Sequence, residues 1–452
     1  MSVDLFIKGH DLCISPSSEP SKQEIENTGF VVKQEFKGKT YYKTMPINFH
    51  KLLHLKPNIL FSADKLWSAS IMPELKTAPR DYQTEAFDKW RQNDHRGVIV
   101  LPTGTGKTMQ ALMAINELRC STLIVVPTID LLHQWKTSIQ ENLGVEAGIL
   151  GGGFKEISPV TVTTYDSAAI HIRRLNMFKL VVFDEVHHLP TEANRMIAEG
   201  LVAPYRLGLS ATPERLDELH KELPSLVGDI VYRKSHSELK DYLADFRLER
   251  IDIDLSEQEL GEYEESMKTY RSYIFRKKMY LYGKNAYQHL IYRVGTDKEA
   301  RKALLSHQEA RKIALNASRK LDMVSKLLRV HQDDKVILFS EFNSVVDSIS
   351  RMFLIPSITY KTPRNERKEI LEDFRNGKLT KIVTGRVLDE GVDVPDASVG
   401  IIVSGSGSER AYIQRLGRII RPKEGKEALL YELVTKKTLE MRKSYERKKG
   451  VR

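Results

Sequence analysis

Eight consecutive residues, Leu101-Pro-Thr103-Gly104-Thr105-Gly106-Lys107-Thr108, have types and spacing suited to holding a nucleotide. The apolar run 98–100 ahead of them reads as a buried strand, and 109–118 behind them as a helix. Glycines at such a turn let backbone N–H groups close around phosphate oxygens. Lys107 then reaches the β/γ-phosphates, and the Thr108 hydroxyl takes Mg²⁺. The cofactors implied are ATP and Mg²⁺.

A second group of residues complements the first. The apolar run 180–183 leads into Asp184-Glu185-Val-His187-His188. Carboxylates at the end of a buried strand beside a phosphate loop fit one division of labour. Asp184 holds Mg²⁺ through water, and Glu185 orients and deprotonates the water that attacks the γ-phosphate. His187 is spaced to hydrogen-bond toward whatever closes the cleft. Arg80 and Gln83 lie upstream of the loop, where the Gln amide can read adenine with two hydrogen bonds. Ser210-Ala-Thr212 ends another apolar run, and its hydroxyls can link Asp184 to distant groups. Far downstream, Gln414, Arg418 and Arg421 recur at the spacing of one helix face. Arginines projecting together neutralise charge developing on a transferring phosphoryl group.

These residues need a scaffold that brings strand ends together. Between 80 and 232, short apolar runs at 98–101, 122–126, 160–164, 180–183 and 206–209 alternate with amphipathic stretches. That is the pattern of a parallel sheet covered on both faces. The rhythm returns at 335–339, 357–360, 381–384, 399–403 and 428–433. Two such units with one phosphate loop between them predict an α/β fold of two RecA-like P-loop domains in tandem, over residues 76–245 and 326–435. Residues 1–75 read as a small N-terminal α+β domain, with a hairpin over 30–36 and 40–44. Residues 246–325 read as a linker strand and a helical insertion. Capping-box patterns at Ser256-x-x-Glu259 and Thr296-x-x-Glu299 open its helices, and Gly283 and Gly295 break them. Residues 436–452 form a basic tail with eight basic and two acidic side chains.

The net charge of +10 is compatible with a nucleic-acid partner without establishing one. Its distribution says more. The stretch 266–296 contains no acid and interleaves Arg276, Lys277, Lys278 and four further cations with six tyrosines. Such a stretch can grip phosphates while its tyrosines pack a core or stack on bases. Two cysteines, Cys13 and Cys120, provide no disulfide framework, no iron–sulfur cluster and no Cys₄ zinc site. A reducing cytoplasm and the absence of a structural metal are therefore expected. No run approaches the ~18 apolar residues of a membrane span, and residues 1–20 lack a signal-peptide core.

In their order, these segments resemble a superfamily 2 helicase across residues 80–435. The matching pieces are Arg80–Gln83, 101–108, Pro127-Thr128 to Trp135, 184–188, 210–212, 335–341, 384–395 and 414–422. Leu101, where a full phosphate-loop pattern has Gly, suits this class better than small GTPases or kinases. Asp-Glu-Val-His-His, Val387-Leu-Asp-Glu-Gly391-Val-Asp393-Val-Pro395 and Gln414-Arg-Leu-Gly-Arg418-Ile-Ile-Arg421-Pro together resemble the XPB branch. At this length they resemble its archaeal members, counterparts of the eukaryotic repair and transcription helicase.

The resemblance implies a damage-recognition-like N-terminal domain, a thumb-like insertion, double-stranded DNA (duplex, fork or bubble) as track, and a Bax-type archaeal nuclease as partner. It assigns Gly391 and Asp393 to the nucleotide. On the DNA side it carries Thr128, Ser210, Thr212 and Thr384, together with Arg276, Lys277 and Lys278. An Arg-Glu-Asp loop of the family corresponds to Arg215-Leu216-Asp217, whose middle acid is replaced. The function implied is an ATP-dependent helicase or translocase that remodels or opens duplex DNA in nucleotide excision repair or transcription, in a nucleoid-associated cytoplasmic setting. An alternative is an ATPase platform that senses DNA structure and positions a nuclease. An RNA helicase is a weaker third.

Overall fold

Strands that are apolar at every position, rather than at alternate ones, must be covered on both faces, and this rule organises both halves of the chain. The computed structural model describes residues 2–8, 11–16, 19–29, 31–36, 39–54, 60–62, 70–215, 217–235, 237–239, 242, 246–385, 397–405, 428–441 and 444. Contacts divide the chain into two units, one reaching residue 235 and one beginning at residue 236.

The first unit opens with a five-stranded sheet of order β3-β4-β2-β1-β5. Its strands are β1 (Ser2–Lys8), β2 (Asp11–Pro16), β3 (Val32–Phe36), β4 (Lys39–Thr44) and β5 (Leu60–Ser62), with helices α1 (Glu19–Glu26) and α2 (Phe49–His54). The predicted hairpin is β3–β4, antiparallel with Phe36 opposite Lys39. Leu12, Ile14, Tyr42 and Phe49 form its core, and Val202 from the following domain completes it.

The following sheet has eight strands in the order β13-β6-β12-β11-β7-β10-β8-β9. They are β6 (Arg96–Val100), β7 (Thr122–Val126), β8 (Gly148–Gly151), β9 (Phe154–Lys155), β10 (Val160–Thr164), β11 (Leu180–Asp184), β12 (Tyr205–Ser210) and β13 (Ile230–Arg233). Every residue of β6, β7, β10 and β11 is buried. All pairings are parallel except the short β8–β9 turn. Six helices belong to this domain: α3 (Asp81–Gln92), α4 (Lys107–Leu118), α5 (Ile129–Leu143), α6 (Tyr165–His171), α7 (Glu192–Gly200) and α8 (Leu223–Leu226).

Opposite the phosphate-loop end, the first residues of β6 and β12 bring two arginines into the interior. Arg206 is fully buried and donates to the carbonyls of Ala203, Leu226 and Leu201 at 3.1, 2.6 and 2.7 Å. Arg96 donates to Pro204 O at 3.2 Å. His50 of α2 feels both charges. Its burial first, and Arg96 next, push its imidazole down to about 4. An imidazole depressed in the fold takes its proton more readily when unfolded, so stability is complete above about pH 6.5 and is lost as pH falls toward 4. With the ring part-exposed, screening leaves about 1–2 kcal/mol. His50→Gln is expected to flatten the fall in melting temperature between pH 6.5 and 4; an unchanged slope would refute this.

Among the described residues, the second unit contains a six-stranded sheet, parallel throughout, of order β14-β19-β18-β15-β17-β16. Its strands are β14 (Phe246–Ile253), β15 (Val336–Phe339), β16 (Ser357–Ile358), β17 (Lys381–Thr384), β18 (Val399–Ile402) and β19 (Ala428–Thr435). The segment read as a linker strand is β14, which pairs with β19 along all eight of its residues. Charged residues alternating with Leu248, Ile251 and Ile253 suit this edge position.

Helices α9 (Glu257–Arg276), α10 (Ala286–Arg293) and α11 (Lys298–Leu315) follow β14, and α12 (Arg319–Val330), α13 (Asn343–Phe353) and α14 (Arg364–Arg375) belong to the sheet. The helical insertion thus interrupts this sheet between its first two strands in sequence. The Ser256 capping box forms, with Ser256 accepting from Glu259 N and Glu259 accepting from Ser256 N. The Thr296 box does not. Asp297 caps α11 instead, accepting from Glu299 N and Ala300 N at 2.8 and 3.2 Å, because an ionised carboxylate satisfies orphan N–H groups and the helix dipole better than a hydroxyl. Among the described residues no helix is long and apolar enough to cross a membrane.

Candidate active site

Leu101-Pro-Thr-Gly-Thr-Gly bridges the carboxyl end of β6 and the first turn of α4, which begins at Lys107 itself. Gly104 and Gly106 adopt φ of +85° and +75°, a conformation costly for residues with a Cβ. At Gly106 a Cβ would also sit 2.8 Å from the Gln83 amide nitrogen. Gln83 braces the loop from α3. Its Oε1 accepts from Arg80 N at 2.8 Å, and its Nε2 donates to Thr105 O at 3.0 Å. Tyr82 also donates to Thr105 O, and Thr105 Oγ1 donates to Pro102 O at 2.7 Å. Gln83 is therefore buried against the loop's backbone, and Arg80 is exposed at the helix entrance.

Two strands away, β11 delivers Asp184 and Glu185. Between them β12 ends at Ser210, whose carbonyl accepts from Leu101 N at 3.1 Å. Trp135 of α5 donates from Nε1 to Asp184 Oδ2 at 2.9 Å, and Glu185 N donates to Oδ1 at 3.0 Å. Burial first, and the Glu185 charge next, raise the Asp184 carboxyl to about 6, against the pull of Trp135 and Lys107.

Glu185 has φ +46°, a left-handed conformation for a residue with a Cβ, costing roughly 1–2 kcal/mol. Its Oε2 lies 3.3 Å from His187 Nδ1 and 3.5 Å from Ser210 Oγ. His187 is fully buried, with Nδ1 3.2 Å from the same hydroxyl, and Thr212 N donates to Ser210 Oγ at 3.2 Å. The ends of β6, β12 and β11 thus gather Lys107, Thr108, Ser210, Asp184, Glu185 and His187 along one edge of the sheet.

The residues at this strand end fit the phosphates of ATP, and Thr108 and Asp184 would be the ones to hold a divalent cation. The Thr103 hydroxyl is buried in the loop with no hydrogen-bond partner among the described residues. Burial and the Glu185 charge disfavour the ionised Asp184 carboxylate, and a divalent cation beside it would offset that cost. Trp135→Phe removes one charge-assisted hydrogen bond, about 1.5–3 kcal/mol of support. The Mg²⁺ concentration for half-maximal ATP hydrolysis should rise about tenfold, and an unchanged Mg²⁺ titration would exclude this role.

Other expected residues fall less simply. Ser210 and Thr384 are fully buried, and their hydroxyls bond inside the protein, Thr384 to Gly385 O at 3.1 Å. Neither presents an exposed group to DNA. Thr128 caps α5, accepting from Leu131 N at 3.3 Å. Arg215 donates to His187 O at 2.7 Å and forms a two-pronged pair with Asp217, holding that carboxyl down at about 2. Arg276 and Lys277 are exposed on α9 and beside its end, facing Glu299 at 2.7 Å and Asp297 at 3.9 Å; Lys278 is exposed with φ +53°. Gln414, Arg418, Arg421, Gly391, Asp393 and Leu216 lie outside the described residues.

Sequence reasoning missed a neighbouring group. Thr164 caps α6 from the end of β10, beside Thr128 at the end of β7 and the glycine run 151–153 at the end of β8. Three consecutive glycines after an apolar run were the available signal.

A phosphate loop and an Asp-Glu strand end on one parallel sheet, with a second parallel sheet carrying a helical insertion, define a helicase-type ATPase of superfamily 2. The comparisons agree. The type III restriction enzyme res-subunit family matches residues 76–215, and the ERCC3/RAD25/XPB C-terminal helicase family matches residues 297–451. The DNA 3'-5' translocase XPB2 of Sulfurisphaera tokodaii is 45% identical over 82% of this chain and 84% of its own length. The DNA 3'-5' helicase XPB of Mycobacterium tuberculosis is 29% identical over 80% of this chain and 60% of its own. The Saccharomyces cerevisiae general transcription and DNA repair factor IIH subunit XPB/SSL2 is 28% identical, with 42% of its length covered. Among solved structures, the Pyrococcus furiosus Hef helicase domain shares the fold, with a TM-score of 0.52 at 21% identity, over 81% of this chain and 97% of that one. The chain belongs to the XPB family of helicases.

Proposed function

We propose that the chain is an ATP-driven DNA translocase that moves in the 3'-to-5' sense and remodels or opens duplex DNA during nucleotide excision repair or transcription. The observation that carries this reading is the convergence of Lys107, Asp184 and a strained Glu185 on one sheet edge, in a chain 45% identical to an XPB2 translocase. ATP and Mg²⁺ supply the phosphoryl group and its charge neutralisation. Lys107 and the loop N–H groups hold the β/γ-phosphates, while Thr108 and Asp184 hold the cation. Glu185, oriented by Ser210 and His187, takes the proton of the attacking water. Arg418 and Arg421, which lie outside the described residues, take the role of neutralising charge that develops on the transferring phosphoryl group. Thr128 and the exposed cations at 276–278 hold the DNA backbone, and the protein works at the nucleoid with a Bax-type nuclease as partner.

One observation favours translocation over wedge-type opening at the 215–217 loop. Arg215 and Asp217 neutralise each other in a forked pair, which leaves that loop little charge to spend on a fork. ATPase rates with single strands, duplexes, forks, bubbles and RNA at matched salt test the assignment. Stimulation by DNA well above RNA is expected, and equal stimulation by RNA would reject a DNA track. Strand displacement with and without a nuclease partner separates a motor from a platform.

A further inference from the structure

Away from the phosphate loop, helices α9, α10 and α11 and the start of α13 enclose an open cleft of about 960 Å³, within the size range that seats small planar ligands. Its walls are aromatic. The His307 ring lies 4.5 Å from the Tyr270 ring and 5.3 Å from the Tyr287 ring, centroid to centroid, and Phe342 lines the same space. Tyr287 is 38% exposed and Leu305, beside it in the cleft, 56% exposed, both high values for apolar groups that surround a concavity.

The floor carries two cations, each beside a carboxylate, and one of them is fixed. Arg311 donates from Nη2 to Glu341 Oε1 at 2.6 Å, which sets the plane of its guanidinium. Its Nε is buried and has no partner among the described residues. Lys312 adds a second cation, with Glu309 3.6 Å from its ammonium.

We infer that this cleft is a seat for one unpaired nucleotide of the DNA, its base against Tyr270, Tyr287 and His307 and its phosphate at the Arg311 guanidinium. Aromatic faces stack on any base, and a guanidinium with an unused N–H suits a phosphate oxygen. A nucleotide within a strand is the fitting occupant rather than a free triphosphate. Among the described residues no glycine-rich loop lines the cleft, and the acid-free stretch beginning at its wall residue Ser266 offers a track of cations for neighbouring phosphates.

The seat also has a route into the sheet. Glu341 and Phe342 lie just past β15, separated from it by Ser340, and Glu341 N donates to Ser404 O and Oγ, both at 3.1 Å, just past β18. Pulling Arg311 toward a phosphate therefore acts on the tips of two central strands. This inference rests on the DNA-motor reading.

The test uses the full chain and a duplex carrying one bulged 2-aminopurine, compared with the same duplex fully paired. On binding, the bulged base should be quenched by wild type and by Tyr287→Phe but not by Tyr287→Ala. Tyr287→Ala should lower the affinity ratio of bulged over paired duplex about tenfold. Millimolar deoxyadenosine monophosphate should leave the quenching in place. Unchanged quenching in Tyr287→Ala, an equal affinity loss for both duplexes, or displacement by the monophosphate would each overturn the seat. A failure of wild type to bind either duplex would overturn the DNA reading beneath it.

Discussion

Glu185→Gln is expected to lower ATP turnover by about 10²–10⁴-fold while nucleotide affinity stays within a few-fold of wild type. The two side chains are nearly isosteric, so the amide occupies the same space between Ser210 Oγ and His187 Nδ1. It pays the same left-handed backbone strain at φ +46°. What it loses is the ability to take a proton from the attacking water. The loop contacts made through Gln83 and Lys107 are untouched, so binding has no reason to fail. Fluorescent-nucleotide titration alongside steady-state hydrolysis separates the two quantities. Turnover within threefold of wild type would remove Glu185 from the base role. Loss of binding would mean that its charge holds the edge together rather than acting on water.

The phosphate loop and the acidic strand end were legible in the sequence because their chemistry demands particular residues at fixed spacings along one short segment. The buried strands were legible too, since continuous apolar runs mark strands covered on both faces. What escaped was set by contacts distant in sequence. Nothing local to Trp135 announces that its indole will meet Asp184, 49 residues away. Arg206 reads as a charged interruption of a strand, and only the folded sheet shows three carbonyls waiting for it. The strand at 246–253 was legible as a linker strand, but its place in the sheet was not, since that depends on pairing with β19, far along the chain. Asp297 displaced Thr296 as a cap because two adjacent residues competed for one helix end, and only geometry decides such a contest.

Lys320→Met is expected to destabilise the second unit by about 3–5 kcal/mol, lowering its melting midpoint by roughly 8–15 °C. Lys320 and Glu440 are both fully buried, and the ammonium lies 2.9 and 2.8 Å from the two carboxylate oxygens. The same ammonium donates to Val403 O at 2.9 Å, just past β18, and to Leu315 O at 3.3 Å, at the end of α11. Glu440 in turn accepts from Thr435 N, and Thr435 Oγ1 donates to Ala314 O at 2.7 Å. Removing the cation therefore leaves a buried carboxylate with one backbone donor and two carbonyls with none from Lys320. Glu440→Gln on top of Lys320→Met removes the uncompensated charge but keeps an acceptor for Thr435 N, so part of the loss should return. If the single variant costs less than about 1 kcal/mol, the pair is already solvated and this account of it fails. The position gives the pair a mechanical meaning as well. It ties the last turn of α11, the base of the helical insertion, to the ends of β18 and β19. If these helices hold DNA as proposed, they serve a motor only when their root is firmly joined to the sheet they interrupt. A loosened root should therefore lower ATP-driven translocation more than ATP hydrolysis itself, measured on the same preparation below its melting range.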